Sequence, residues 1–185
     1  MADEQELLRR ARSLDETALK AIFDTYYQSL YRYIYYHVRH VGTAEDLAAE
    51  VFSRMLEQIA KGRGPKQHLR GWLYRVARNL VVDDSRRHVH RNHEPLDERL
   101  VFPGPDVESQ VQTSFLGQQA WAALGKLTSK QRDVIILRFL EGQENEEIAE
   151  ILQVSVGAVK ALQHRGLASM RRHLNRVLET NEEAE

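Results

Sequence analysis

Residues 128–176 read TSKQRDVIILRFLEGQENEEIAEILQVSVGAVKALQHRGLASMRRHLNR, and the fold follows from this stretch. Thr128 followed three residues later by Gln131 is the signature of a capping box, which satisfies free backbone amides at the start of a helix. Apolar residues then recur at helical spacing as far as Gly142, which predicts the end of this helix.

Two more helices are predicted after that glycine. Residues 144–152 form a short one, and Ser155 is placed to cap another that begins at about Val156. Two helices joined by so tight a turn predict a helix-turn-helix, whose second helix enters the major groove of DNA.

The charge of the last helix favours the same interpretation. Residues 160–176 include five basic side chains and no acidic one, whereas residues 144–150 include four glutamates. The apolar residues expected to turn inward are Val159, Leu162, Leu167 and Met170. The residues expected to contact DNA are Ser155, Gly157, Lys160, His164, Arg165 and Arg171. The alternative is an amphipathic helix of a bundle with a solvated basic face.

Composition excludes several classes of protein. The net charge of −1 conceals two basic blocks, residues 61–91 and 160–176, which predicts two surfaces that contact phosphate. The absence of cysteine excludes disulfide and thiolate chemistry. Because no signal peptide or apolar run of spanning length is present, we expect a cytoplasmic protein without membrane insertion.

The N-terminal part is also predicted to be helical. Capping signatures precede two apolar patterns, at Ser13 with Glu16 and at Thr43 with Asp46, and Gly42 is expected to end the earlier helix. The tyrosines of YRYIYYHV are expected to line a core rather than to stack on nucleic acid. The later helix has an acidic face, which is either solvated or a docking surface for a basic partner.

The first basic block combines a glycine loop, KGRGP, with a helix predicted over 67–88. Arginines interleaved with His68, Trp72 and Tyr74 suit a groove in which phosphates are neutralised and bases stack on rings. The candidate DNA-binding residues here are Arg63, Lys66, His68, Arg70, Arg75, Arg78, Arg86 and Arg87.

Residues 92–112 hold three of the four prolines and many acidic residues, which predicts a flexible linker. We therefore expect an all-α protein of two small helical domains, residues 1–91 and 113–180, the second one a helix-turn-helix.

Two segments carry a resemblance to a known family. AEDLAAEVFSRMLEQI followed by LRGWLYRVARNLVVDDSRR resembles region 2 of the extracytoplasmic-function (ECF) sigma factors of bacterial RNA polymerase. LTSKQRDVIILRFLEGQENEEIAEILQVSVGAVK resembles their region 4, and the resemblance extends over about 15–176. It implies an alternative sigma factor that binds core RNA polymerase and directs promoter-specific initiation.

The resemblance also implies roles for individual residues. Asp46 and Glu50 would contact the clamp of the largest polymerase subunit, and region 4 would meet the flap of the second subunit. Asn79 would help to hold a base flipped from the minus-ten element, with the basic residues of the loop and helix nearby. The last helix would read the minus-thirty-five element. An anti-sigma factor is a further implied partner.

This sequence departs from the family pattern at two places. Leu162 and Gln163 stand where an Arg-Leu pair is common, so a usual DNA-facing arginine is absent. Gln153 stands where glycine is frequent, which predicts backbone strain in the turn.

We expect no enzyme and no cofactor, because no phosphate-binding glycine motif and no nucleophile paired with a base is present. His88, His90 and His93 have a spacing that allows a metal site, although a solvated basic segment is favoured. A stand-alone helix-turn-helix DNA-binding transcriptional regulator is the alternative function, and it leaves the acidic helix and Arg78-Asn79 unexplained. A protein-binding adaptor would show no steep salt dependence on DNA.

Overall fold

Four helices form the N-terminal part of the chain: α1 Ala2–Arg12, α2 Glu16–Val38, α3 Val41–Ala60 and α4 Leu69–Arg91. Helices α2, α3 and α4 pack against one another, and α1 packs on α2 and α3. Their shared core is apolar, with fully buried side chains from every helix, among them Leu8, Ile22, Leu30, Ile34, Met55, Leu69 and Leu73.

The tyrosines of α2 belong to this core. Tyr31, Tyr33, Tyr35 and Tyr36 are all buried, which confirms the prediction that they line the interior. Tyr33 meets Tyr74 of α4 edge to face, with ring centroids 5.4 Å apart, a favourable geometry for an aromatic pair. Burial, with a smaller effect of the Glu45 carboxylate, raises the pKa of Tyr31 to about 12.

The predicted start of α2 is wrong. Asp15, not Ser13, is the N-cap, and its Oδ1 accepts hydrogen bonds from the amides of Thr17 and Ala18 at 2.9 and 3.1 Å. The physical reason is the left-handed conformation of Leu14, with φ of 57°, which delays the helix start.

The predicted junction between α2 and α3 is wrong as well. Arg39, with φ of 58°, ends α2, and Gly42 lies inside α3. His40 is the N-cap of α3, because its Nδ1 accepts a hydrogen bond from the amide of Thr43 at 3.1 Å. Histidine is not among the favoured N-cap residues, whereas threonine is, so the prediction placed the cap at Thr43 rather than at His40.

The C-terminal part consists of α5 Phe115–Gly125, α6 Ser129–Ile135, a π-helical turn Ile136–Leu140 that continues α6, α7 Asn145–Leu152 and α8 Val156–Glu182. Helix α8 packs against α5, α6 and α7. The capping box at Thr128 is confirmed. Thr128 Oγ1 accepts a hydrogen bond from the backbone amide of Gln131 at 3.4 Å, and Gln131 Oε1 accepts one from the backbone amide of Thr128 at 3.2 Å.

This computed structural model describes the backbone of residues 2–91 and 115–182 and the side chains of residues 4–87 and 117–176. Every regular element in these ranges is a helix, and the chain divides into two units, residues 1–98 and 99–185. The predicted all-α, two-domain fold is confirmed. The linker predicted over 92–112 lies outside the described residues.

Candidate nucleic-acid and polymerase interfaces

The turn between α6 and α7 is fixed by one arginine. Arg138 Nη1 donates to the backbone oxygen of Gln143 at 2.8 Å and to Glu144 Oε2 at 2.6 Å. Gln143 is fully buried, and its backbone amide donates to the backbone oxygen of Leu137 at 2.8 Å. These bonds hold the start of α7 against the end of α6, so the first helix of the helix-turn-helix is firmly placed.

The turn between α7 and α8 has the strain that its sequence predicts. Gln153 is left-handed, with φ of 54° and ψ of 49°, where glycine would be free of steric cost. Ser155 Oγ accepts a hydrogen bond from the amide of Ala158 at 3.2 Å, as expected of the residue that begins α8. Ile148 of α7 and Val159 of α8 are fully buried and anchor the pair.

One face of α8 is exposed and basic. The six residues expected to contact DNA, namely Ser155, Gly157, Lys160, His164, Arg165 and Arg171, are all exposed. The part of α8 whose side chains are described, as far as Arg176, has no carboxylate to neutralise this face. Leu162 and Gln163, where the family pattern differs, are half-buried.

The inward face of α8 differs from prediction at one residue. Val159 is buried and Met170 packs on the core cluster formed by Leu124, Leu127 and Ile135, but Leu167 is 42% exposed. The neighbouring residue, Gly166, takes the closest position to α6, so Leu167 is turned by about 100° towards solvent.

A cationic recess lies farther along α8. It has a volume of about 470 Å³ and is lined by Lys126, Ser169, Arg172, His173 and Arg176. Sequence reasoning missed Lys126, Ser169 and His173, although the spacing of the four α8 residues indicates one helical face. Arg172 lies about 120° around the helix and about 18 Å along it from Lys160, so the recess is offset from the start of α8.

The glycine loop before α4 presents its basic side chains to solvent. Arg63, Lys66 and His68 are exposed, whereas Gly64 and Pro65 are buried. A Cβ built on Gly64 would lie 2.7 Å from Ile59 Cγ1, so only glycine lets the loop pack this closely on the end of α3.

Helix α4 continues the basic surface. Asn79, Arg86 and Arg87 are exposed, and Arg70, Arg75 and Arg78 are half-buried and make further interactions. Of the three rings expected to stack on bases, His68 is exposed and Trp72 is half-buried. Tyr74 is fully buried, so its predicted stacking role is wrong, because its ring completes the core against Tyr33.

The carboxylates on the acidic face of α3 differ in their ion pairing. Asp46 is exposed and makes no ion pair within the described part of the chain. Glu50 accepts a hydrogen bond from Arg54 Nε at 2.9 Å, one turn along the helix. Asp46 is therefore the more available of the two anions for a basic partner.

His88, His90 and His93 lie outside the described side chains. Within the described residues, no group of three or more histidine, aspartate and glutamate side chains could hold a metal ion. None of the described helices combines the length and the apolar character needed to cross a membrane.

Comparison with known families covers both units. Residues 22–91 match the family described as sigma-70 region 2, and residues 117–170 match sigma-70 region 4. The ECF RNA polymerase sigma factor BldN of Streptomyces coelicolor is 34% identical over 173 residues, which span 91% of this chain and 65% of BldN. The ECF sigma factor SigX of Bacillus subtilis is 33% identical over 171 residues, 86% of this chain and 84% of SigX.

Solved structures show the same fold. CnrH, solved in complex with the cytosolic domain of CnrY, matches with a TM-score of 0.72 at 19% identity over 93% of this chain and 97% of CnrH. The sigma factor RpoE from Bartonella quintana, solved with the anti-sigma factor NepR, matches with a TM-score of 0.67 at 20% identity, over 84% and 96% of the two chains.

A stand-alone helix-turn-helix regulator would account for the second family match and not for the first. Sigma factors are in general initiation factors rather than enzymes. The two matches and the identity to SigX therefore lead to one conclusion: the chain belongs to the ECF family of RNA polymerase sigma factors and is an alternative sigma factor that directs transcription initiation.

Proposed function

We propose that the two units divide promoter recognition between them. Residues 1–91 bind core RNA polymerase and recognise and melt the minus-ten element, residues 113–180 recognise the minus-thirty-five element, and residues 92–112 tether them. The observation that carries this proposal is that each unit exposes its own basic surface, one on the loop and α4 and one on α8, while α3 exposes acidic residues.

The minus-ten contact uses the loop and the exposed side of α4. Asn79 has an amide that can donate to and accept from the edge of a base extruded from the duplex. Its exposure supports this role, as does its place among the arginines of α4. The exposed Arg63 and Lys66 neutralise phosphates at the edge of the same surface, where His68 is exposed as well.

The minus-thirty-five contact uses the first three turns of α8. Lys160, His164 and Arg165 are exposed and lie within six residues, which places them together on the part of the helix that enters the groove. Because the described part of α8 has no carboxylate, the charges of Lys160 and Arg165 are available to DNA.

The polymerase contacts use one charged and one apolar surface. Asp46, with Glu50 beside it, faces the clamp of the largest subunit. The flap of the second subunit binds Phe139 and Leu140, which are 52% and 43% exposed at the end of α6. Large apolar side chains exposed side by side favour a protein partner over solvent.

The proposal extends to regulation and location. Two proteins of the same fold are each bound to another protein, CnrH to CnrY and RpoE to an anti-sigma factor, and we propose an anti-sigma partner for this chain too. The chain works in the cytoplasm beside the polymerase, takes no cofactor and leaves RNA synthesis to the polymerase.

Transcription in vitro with reconstituted core polymerase tests the proposal. The full chain should join the core enzyme and move initiation to new start sites, which sequencing of the transcript ends locates. A chain that binds promoter DNA as tightly without core polymerase as with it, and leaves the start sites unchanged, contradicts the proposal.

A further inference from the structure

The start of α4 lacks a cap of its own. The three residues before Leu69 are Lys66, Gln67 and His68, none of which is a favoured N-cap residue. His68 is left-handed, with φ of 53°, rather than extended as an N-cap residue usually is. The free amides of the first turn of α4 therefore need a partner from elsewhere.

Helix α1 supplies that partner. Glu4 Oε1 accepts a hydrogen bond from the amide of Leu69 at 2.8 Å, across 65 positions of the chain. A carboxylate at a helix N-terminus satisfies an unpaired amide and also interacts favourably with the helix dipole. Burial raises the pKa of Tyr26, the negative charge of Glu4 raises it further and the positive charge of Arg70 lowers it.

A second bond from α1 reaches the glycine loop. Arg12 Nη2 donates to the backbone oxygen of Pro65 at 3.2 Å. Glu4 and Arg12 are eight residues apart, roughly 12 Å along a helix, so α1 contacts both the loop and the first residue of α4. The loop backbone is thus held by α1 at Pro65 and Leu69 and by α3 at Gly64, while Arg63, Lys66 and His68 extend into solvent.

We propose that α1 is a positioning element for promoter opening, in which Glu4 and Arg12 hold the loop and the first turn of α4 ready for minus-ten DNA. The inference rests on the proposed function, which assigns that loop to minus-ten DNA. The family match begins at residue 22, so α1 lies outside the stretch that defines region 2.

The test uses full-length variants with core polymerase and a promoter that carries a fluorescent base analogue in its minus-ten element. Glu4→Ala and Arg12→Ala should each slow promoter opening by roughly fivefold, the effect of losing one cap or one anchoring bond, with core affinity unchanged. Glu4→Gln keeps an acceptor oxygen and should restore most of the rate. The matched controls are Glu6→Ala and Arg9→Ala, since Glu6 and Arg9 form an exposed ion pair with each other on α1.

Amide hydrogen exchange gives a readout that does not depend on polymerase. The Leu69 amide should exchange faster in Glu4→Ala and at the wild-type rate in Glu6→Ala. Opening rates of Glu4→Ala and Arg12→Ala that equal those of the controls would overturn the inference. If Glu4→Ala lowers the melting temperature of the whole protein, the opening rate of Arg12→Ala is the one that tests the inference, because Arg12 is exposed.

These outcomes are distinct from failure of the proposed function. If the proposed function were wrong, the wild-type chain itself would join core polymerase without opening minus-ten DNA. A faster Leu69 exchange with an unchanged opening rate would instead show that α1 caps α4 without positioning the loop, which overturns the inference alone.

Discussion

Gly166 of α8 lies directly against Ile135 of α6: a Cβ built on Gly166 would be 3.1 Å from Ile135 Cγ1 and 3.3 Å from its Cδ1. These distances are shorter than ordinary contacts between carbon atoms. Ile135 belongs to the core cluster with Leu124 and Leu127, so it has little room to move. The close crossing of α6 and α8 therefore depends on the missing side chain.

Gly166→Ala should be less stable than Gly157→Ala by about 1–3 kcal/mol, the usual cost of overpacking a core. Gly157 is on the same helix and has only Ser155 Oγ near its Cβ position, at 3.9 Å, so it is a matched control. Alanine at Gly157 should raise the free energy of unfolding by about 0.5–1 kcal/mol through helix propensity. Urea denaturation of both variants measures the difference, and equal stabilities would contradict the close crossing.

The cap at Asp15 predicts a pH dependence in acid. The hydroxyl of Thr17, the amide of Ala18 and the guanidinium of Arg10 hold the pKa of Asp15 at about 2, below the ordinary 3.8. Since the folded-state pKa is depressed, the stabilisation is present above pH 4 and is lost as the pH falls towards 2. The difference in melting temperature between wild type and Asp15→Asn should shrink over that range, and a difference that stays constant down to pH 2 would contradict the prediction.

Lys160→Ala should weaken promoter binding by the holoenzyme by about 1–3 kcal/mol and leave core binding unchanged. Lys160 is on the basic face of α8 that we assign to the minus-thirty-five element. Arg172→Ala removes the same charge about 18 Å farther along that helix and about 120° around it from Lys160, and it is the matched control. Filter binding at several salt concentrations measures both, with a slope lowered by about 1 for each lost phosphate contact. Equal losses in the two variants would argue against a defined reading face.

Asp46→Ala should lower the affinity for core polymerase by about 1 kcal/mol, the upper value for an exposed ion pair. In contrast to Lys160→Ala, it should leave the DNA contacts unchanged. Glu57→Ala is the control on the same helix, because Glu57 is exposed and pairs with Lys61 at 3.4 Å. Fluorescence anisotropy with labelled full-length protein and core polymerase gives both affinities. A larger effect of Glu57→Ala would move the clamp contact towards the end of α3.

Phe139→Ala should lower the affinity of the chain for core polymerase by about 2 kcal/mol, as expected when an aromatic residue at the centre of an interface is removed. Leu167→Ala is the control, since Leu167 is exposed to a similar degree in the same unit. Competition for core polymerase against the wild-type chain measures the change. A normal affinity of Phe139→Ala would remove this side chain from the proposed flap contact.

Local signals in the sequence predicted the C-terminal unit well. The capping box at Thr128, the turn at Gln153 and the start of α8 at Ser155 each depend on residues within a few positions of one another. The buried tyrosines of α2 were predictable for a similar reason, since their helical spacing matches that of the aliphatic residues around them.

Contacts between distant residues explain what the sequence did not predict. The first turn of α4 is capped by Glu4, which no local pattern around Leu69 can indicate. Tyr74 lies among arginines and was expected outside, but its place in the core depends on Tyr33 of another helix. Leu167 has core spacing and is nevertheless exposed, because Gly166 sets the rotation of α8 against α6.

Within residues 2–91 and 115–182, four non-glycine residues have φ angles between 53° and 58°, and each lies at a helix boundary: Leu14, Arg39, His68 and Gln153. Such a conformation costs roughly 1–2 kcal/mol for a residue with a side chain. The burial of the two cores has to offset that sum before any net stability remains. Substitutions at these helix boundaries, rather than in the helix interiors, are therefore where this chain can gain thermal stability, and two of the four, Leu14 and Arg39, are more than 20 residues along the chain from any residue assigned to DNA.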